Sequence, residues 1–482
     1  MSDPRNTLKN KYEEASRFAN FGPVITQVII KGFRCHANTV IDVRSPVSAF
    51  CGLNGTGKST ILQLISAARR TADSDRTYYL RDFFLLGKLD PAPYRADASV
   101  FFRFWQEDRS TQQLTISKSS SGKRWNGYKR RPQGSVFFAG VGLYVPKIEQ
   151  RDVVARYFSQ LNVTGSSVVE QRVRDWSCKI LSQAYSDMTR NNVNHAGRTA
   201  EVLTVVRDGA SYSEIHMGFG EGRSQYLVSA LEHMPNKSLV LIEEPETSLH
   251  PAAQYEFGRY LIDVAIEKGH QIFLTTHSEA LLRALPDESR IYLHRSGTGI
   301  TAIGGLSSKE ALSLMTNGHD KALSVLVEDE VARAVLREIV RLIDATFLTC
   351  IHIGVGGDKD AIARTVRGLK DTGLKVAAVR DGDKDGNPNE NIYKLPGTRA
   401  PEVELFESAA VSEFIQNRYA ISLANFKASI GNTEHHEWFS SLADKCAVDE
   451  TALVAECARV YAESLPDTER YSLVNLLKAS VH

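Results

Sequence analysis

Short apolar runs that stop abruptly on polar or acidic residues recur along the chain. Val47–Cys51 runs into a glycine-rich stretch, Leu239–Ile242 into Glu243-Glu244, and Gln271–Leu274 into Thr275-Thr276-His277-Ser278. Runs of this length without alternation predict strands buried on both faces of a parallel sheet. Ligands at such sheets sit beyond the carboxyl ends of the strands, so the residues at the run ends are the first candidates for chemistry. Val24–Ile30 and Thr39–Val43 flank Gly32-Phe33-Arg34 and predict two strands joined by a short turn, while Ser99–Trp105 and Gln113–Ser117 predict a hairpin. Between about 151 and 195 the apolar positions Val153, Val154, Tyr157, Phe158 and Leu161, then Val168, Val173, Trp176, Ile180 and Leu181, fall at helical spacing, with Gly165-Ser166-Ser167 between them. That spacing predicts an inserted pair of helices. Ala200–Arg207 returns to a strand pattern.

Beyond Leu306 a second series begins. Leu323–Val327 ends in Glu328-Asp329, Phe347–Ile353 ends in a glycine-rich turn at 354–358, and Lys375–Val379 ends in Arg380-Asp381-Gly382-Asp383. Helical patterns at Val331–Leu342 and Ala361–Leu369 separate them, so a second, smaller parallel α/β unit is expected, with acids at its strand ends. From Val411 to His482 the pattern is that of several amphipathic helices.

Composition narrows the setting. A chain of 482 residues with 42% hydrophobic content has room for roughly two to four domains. Lys plus Arg (58) nearly cancel Asp plus Glu (57), so any basic surface is local. Six cysteines without C-x-x-C spacing argue against a disulfide framework and a zinc knuckle. The polar amino terminus and the lack of an apolar run near about 18 residues predict a cytoplasmic protein with no membrane partner.

The most specific motif is Gly52-Leu53-Asn54-Gly55-Thr56-Gly57-Lys58-Ser59-Thr60, placed between the Val47–Cys51 strand and a helix expected to reach about Ala72. Its glycines let the backbone curl so that successive N–H groups face phosphate oxygens. Asn54, Gly55, Thr56, Gly57, Lys58, Ser59 and Thr60 are therefore expected to bind ATP or GTP, with Lys58 on the β- and γ-phosphates and Ser59 on Mg²⁺. Glu243 is expected to join the Mg²⁺ shell. Glu244, one residue on and facing another way, is expected to orient the attacking water, and His277 to reach the γ-phosphate. Met217-Gly218-Phe219-Gly220-Glu221-Gly222, a Gly-rich stretch ahead of another helix, is a second candidate anion site.

Taken in order, GLNGTGKST, FGEG, LVLIEEPETSLHP and FLTTHS resemble the ABC-type ATPases, in the branch that holds the OLD-family proteins and, more distantly, RecF and SMC. The resemblance implies pairing of two subunits, with Gly220 and Glu221 of one closing on ATP held at Lys58 of the other; the serine that usually begins that motif is absent from MGFGEG. It places a glutamine loop nowhere firmly, Gln150 being one candidate. In the second unit, Glu328 after one strand and Asp381-Gly382-Asp383 after another resemble the Toprim domain of OLD-family nucleases, with Glu402 or Glu404 in Pro401–Phe406 as a further acid. Here Asp329 stands where a Toprim glutamate is usually followed by glycine. Glu328, Asp381 and Asp383 have the hard oxygen donors that Mg²⁺ or Mn²⁺ takes.

The fold class implied is α/β: an ABC-type ATPase domain (1–306) with a β-rich arm and a short helical insertion, a Toprim-like parallel α/β domain (307–410) and a C-terminal helical segment (411–482). The function implied is ATP-regulated, divalent-metal-dependent DNA cleavage in defence against phage, by a homo-oligomer, sometimes with a separately encoded effector protein. Two alternatives stand beside it: an ATPase sensor or scaffold with an inactive Toprim-like domain, and a RecF- or SMC-like repair ATPase. The basic, aromatic loop 119–131 reads either as a nucleic-acid grip or as a solvated hairpin tip. His435-His436-Glu437, without histidines at i and i+4, reads as a solvated helix start rather than a metal site.

Overall fold

The computed structural model describes residues 3–71, 76–119, 124–297, 299–369, 372–431 and 433–482. The chain divides into two units, Met1–Ala311 and Leu312–His482.

The first unit is built on a six-stranded sheet formed by β3 (Val47–Cys51), β7 (Val136–Ala139), β12 (Leu239–Glu243), β13 (Gln271–Thr275), β14 (Arg290–Ser296) and β15 (Gly299–Gly304), in the order β15-β14-β3-β13-β12-β7. All neighbours are parallel except β14 and β15. β3 and β13 are buried at every position, as their unbroken apolar runs require. Phe50 and Phe273 stack between them with ring centroids 6.1 Å apart. A five-stranded antiparallel sheet runs β2-β1-β4-β5-β6, from β1 (Ile25–Phe33), β2 (His36–Asp42), β4 (Tyr94–Trp105), β5 (Thr111–Lys118) and β6 (Trp125–Asn126). The buried Gln271 amide ties the two sheets: its Nε2 donates to Ile25 O at 2.7 Å and its Oε1 accepts from Ile25 N at 2.9 Å.

The insertion differs from the helical pair expected from the sequence. Only Gln171–Leu181 is a sustained helix; Val153–Arg156 makes a single turn. The rest forms a third, antiparallel sheet, β11-β10-β9-β8, from β8 (Asn162–Val168), β9 (Tyr185–His195), β10 (Arg198–Arg207) and β11 (Ala210–Ser213). Gly165-Ser166-Ser167 lies inside β8. This edge strand is exposed at nearly every position, so it carries no apolar alternation, and it is held by pairing with β9 and by Ser166 Oγ donating to Asn191 Oδ1 at 2.7 Å.

The second unit has a four-stranded parallel sheet, β17-β16-β18-β19, from β16 (Leu323–Val327), β17 (Ile351–Val355), β18 (Val376–Arg380) and β19 (Ile392–Lys394). β17 starts later than its apolar run suggested, because Ala345–Cys350 folds as a short helix capped by the Asp344 carboxylate. The helix Glu330–Ile343 buries Val331, Ala332, Val335, Leu336, Ile339 and Val340, one stripe at helical spacing. Five helices, at Ala409–Tyr419, Leu423–Ile430, Trp438–Cys446, Glu450–Ser464 and Asp467–Ala479, make up the tail. Among the described residues, no helix is long and apolar enough to cross a membrane.

Candidate functional site

The glycine-rich loop leaves β3 and enters the helix Lys58–Ser66, shorter than the expected run to Ala72, a residue outside those described. Gly57 caps that helix at φ 81°, a left-handed conformation costing other residues about 1–2 kcal/mol. It also has no room for a side chain: a Cβ there would lie 2.2 Å from His36 Nε2 and 2.7 Å from Cys35 Sγ. His36 opens β2, just after the turn from β1, and its Nε2 lies 3.2 Å from Gly57 O while its Nδ1 lies 3.0 Å from Thr39 Oγ1. Burial pushes its pKa down to about 4, so the imidazole stays neutral and braces the loop without adding charge. Asn54, Gly55 and Ser59 are exposed, and Thr56 and Thr60 are buried. Lys58 Nζ donates to Gly52 O at 2.9 Å and Leu53 O at 3.2 Å, both within the loop. Burial lowers its pKa, opposed by the charges of Glu244 and Glu246.

At the end of β12 the three acids take different roles. Glu243 Oε1 is buried and has no hydrogen-bond partner, an arrangement suited to a cation's coordination shell. Glu244 takes φ 46° and lies with its Oε1 3.5 Å from His277 Nε2. This pair faces Lys58, whose charge, after burial, helps lower the His277 pKa. Glu246, not singled out by its spacing, is buried and accepts from Thr276 Oγ1 at 2.5 Å and from His277 N at 2.8 Å. Burial, then the charge of Glu244, raises its pKa. Arg223, also unforeseen, is 2% exposed and donates to Glu243 O at 2.5 Å. Its guanidinium lies in the field of Glu246, Glu244 and Glu243, so it is a second buried cation, with Lys58, opposed to the clustered carboxylates.

The Gly218–Gly222 stretch is not a turn preceding its helix. The helix Phe219–His233 begins within it, and Gly220 packs so closely that a Cβ would lie 2.3 Å from Ser248 O. Glu221 Oε1 accepts from the Tyr185 and Tyr212 hydroxyls at 2.7 Å each, so its carboxylate is engaged by the antiparallel β9 and β11 rather than free for phosphate. Gln150 Nε2 donates back to Val145 O at 2.8 Å.

Models of two ATPase families match this unit: an AAA ATPase domain over residues 151–282 and an AAA domain over residues 27–129. The chain carries an ATPase domain. A curated relative, Protein ea59 of Escherichia phage lambda, is 22% identical over 315 residues, which cover 59% of this chain and 58% of that protein's length. The SMC head domain from Thermotoga maritima aligns over 58% of this chain and 98% of its own, at 17% identity and a TM-score of 0.36. An SMC head bound to the C-terminal winged-helix domain of ScpA aligns over the same shares, at 15% identity and a TM-score of 0.39.

Residues 124–131 of the basic, aromatic loop are packed in part, with Arg124, Lys129 and Arg130 exposed. Lys123 lies outside the described residues. Trp125 stacks on Phe33 with centroids 5.6 Å apart, the Tyr128 hydroxyl accepts from Leu80 N at 3.0 Å, and the buried Arg131 donates to Tyr78 O at 3.0 Å. Neither aromatic is a free stacking platform, and neither is fully solvated as a hairpin tip would be.

In the second unit, Glu328 follows β16 and Asp381 follows β18, and Glu328 Oε1 accepts from Asp381 N at 3.2 Å. Asp381 is 6% exposed, its Oδ1 has no partner, and burial together with the charges of Glu328, Asp329, Glu402 and Asp383 pushes its pKa up to about 7. Burial also raises the Glu328 pKa. Asp383 is drawn into an ion pair with Lys384, so its carboxylate is not gathered tightly with the other two. Asp329 Oδ1 caps the helix after β16 by accepting from Ala332 N at 2.8 Å, which accounts for an aspartate at a position read from sequence as a missing glycine. Of the two later acids, Glu404 accepts from Thr398 N and Arg399 N and shapes a turn, while the buried Glu402 faces the acidic group.

Proposed function

We propose that the protein is an ATP-hydrolysing machine whose second unit cleaves DNA phosphodiesters with a divalent cation, an OLD-like, ATP-regulated nuclease acting in defence against phage as a homo-oligomer. In the first unit, Lys58 and the 54–60 backbone bind the phosphates of ATP, Ser59 and Glu243 hold Mg²⁺, and Glu244 orients and deprotonates the attacking water. His277 contacts the γ-phosphate, positioned through its backbone bond to Glu246. In the second unit, Glu328 and Asp381 would hold Mg²⁺ or Mn²⁺, with Asp383 joining them on leaving its ion pair with Lys384. The orphaned, buried Asp381 Oδ1 fits that role, because an unpaired buried carboxylate is costly unless a proton or a cation satisfies it. A cation bound there supplies charge for the leaving oxygen and acidity for a bound water.

The buried Asp381 beside Glu328 is the observation that carries the nuclease reading. Cleavage of supercoiled DNA in Mg²⁺ or Mn²⁺, with and without ATP, tests it. A Glu244→Gln variant in the same assay shows whether hydrolysis licenses or restrains cutting; metal-independent cutting, or none with ATP turnover intact, contradicts the reading.

A further inference from the structure

His435 and His436 have no metal-binding spacing of their own, but the fold brings a third donor to them from 33 positions away in the chain. The helix Pro401–Glu407 carries Glu402 in its first turn, 2% exposed, and the short turn His435–Glu437 sets both imidazoles against it. One ligating atom from each of the three residues lies within 4.8 Å of the others. Glu402 Oε1 is 3.0 Å from His436 Nδ1, and Glu402 Oε2 is buried with no hydrogen-bond partner, so half of a buried carboxylate is left unsatisfied.

The frame around the three donors is rigid without any ion. Phe406, on the Glu402 helix, packs against Trp438 and Phe439 with ring centroids 5.2 and 5.0 Å apart, and Trp438 Nε1 donates to Thr433 O at 3.0 Å. Both flanks of the histidine turn are thereby fixed to the helix that supplies the carboxylate.

We propose that Glu402, His435 and His436 form a second metal centre, for a zinc-class divalent cation. Two imidazoles and a carboxylate are borderline-soft donors that favour Zn²⁺ or Co²⁺ over Mg²⁺, and three protein ligands leave a coordination position for water or a substrate oxygen. The centre differs in chemistry from the all-oxygen Glu328, Asp381 and Asp383 group. It does not depend on the nuclease reading. It fastens the end of the α/β sheet domain to the helical tail and puts a cation near Asp381, on which the charge of Glu402 acts.

The test uses full-length protein without a polyhistidine tag. Equilibrium dialysis against Zn²⁺ with elemental analysis, and Co²⁺ titration followed by visible ligand-field absorption, are run on wild type, His435→Asn/His436→Gln and Asp381→Asn/Asp383→Asn. The expected result is about one ion per chain for wild type and for the aspartate variant, and at least a tenfold loss of affinity in the histidine variant, with circular dichroism unchanged. Equal binding by wild type and the histidine variant overturns the proposal and leaves His436–Glu402 as an ordinary ion pair. So does loss of binding in the aspartate variant alone, which would assign the ion to the acidic group.

Discussion

Glu246 Oε1 accepts the backbone N–H of His277 at 2.8 Å, so the third acid of the β12 terminus fixes the histidine at the end of β13. The same oxygen accepts from Thr276 Oγ1, which leaves the β13 terminus with little freedom to move independently of Glu244.

Glu246→Ala removes that acceptor and strands a buried hydroxyl and amide, at a cost of about 1–3 kcal/mol for each group left unpaired. Its expected effect is a loss in kcat for ATP hydrolysis that is much larger than any change in ATP affinity, because Glu246 makes its hydrogen bonds to Thr276 and His277 and none to the phosphate loop. Glu246→Gln keeps an acceptor oxygen and should retain most of the turnover. Steady-state ATPase kinetics on the two variants distinguish positioning of His277 from a general loss of fold.

Gly57→Ala should abolish nucleotide binding. The backbone at φ 81° resists a side chain, and the methyl would meet His36 Nε2 at 2.2 Å. Adding His36→Ala removes that collision but not the left-handed strain of about 1–2 kcal/mol, so only part of the affinity should return. Titration with a fluorescent ATP analogue measures both.

Arg223→Met removes the buried cation from the field of Glu243, Glu244 and Glu246 and leaves the Glu243 carbonyl without its donor. The expected loss is on the order of 2–4 kcal/mol, read as a lower thermal midpoint. Glu246→Gln in the Arg223→Met background removes one of the opposed charges and should recover part of that loss.

Asp381 gives the second unit a pH-dependent stability. Its folded pKa of about 7 lies above the unfolded value near 3.8, so its contribution is full below the unfolded value and is lost as pH rises through the folded one. With metal chelated, Asp381→Asn should therefore melt higher than wild type at pH 8, by a few degrees, and the gap should close toward pH 4. Mn²⁺ should raise the wild-type midpoint at pH 8 and leave that of Asp381→Asn nearly unmoved.

Much of the site was legible in the sequence because its signals are local. The strand, glycine-rich loop and helix around Lys58 are contiguous, and Glu243, Glu244 and His277 each lie within three residues of the end of an unbroken apolar run. Glu246 and Arg223 were missed because their roles depend on partners 31 and 20 positions away, a separation that no periodicity reports. Glu221 was misplaced for the same reason, since its tyrosine partners lie on β9 and β11. The insertion misled because β8 is an edge strand without a buried face, while Val153, Val154, Tyr157 and Phe158 match helical spacing over a single turn. The pairing of Glu402 with His435 and His436 needed the tail to fold back on the helix Pro401–Glu407.

The most direct measurement is of two activities in one preparation: cutting of supercoiled DNA in Mn²⁺ and ATP, and release of phosphate from ATP, for wild type and Asp381→Asn/Asp383→Asn. The account predicts that wild type does both and that the variant hydrolyses ATP at the wild-type rate while its cutting falls to the metal-free background. Equal cutting by the two proteins, or ATP hydrolysis by both with cutting by neither, contradicts it.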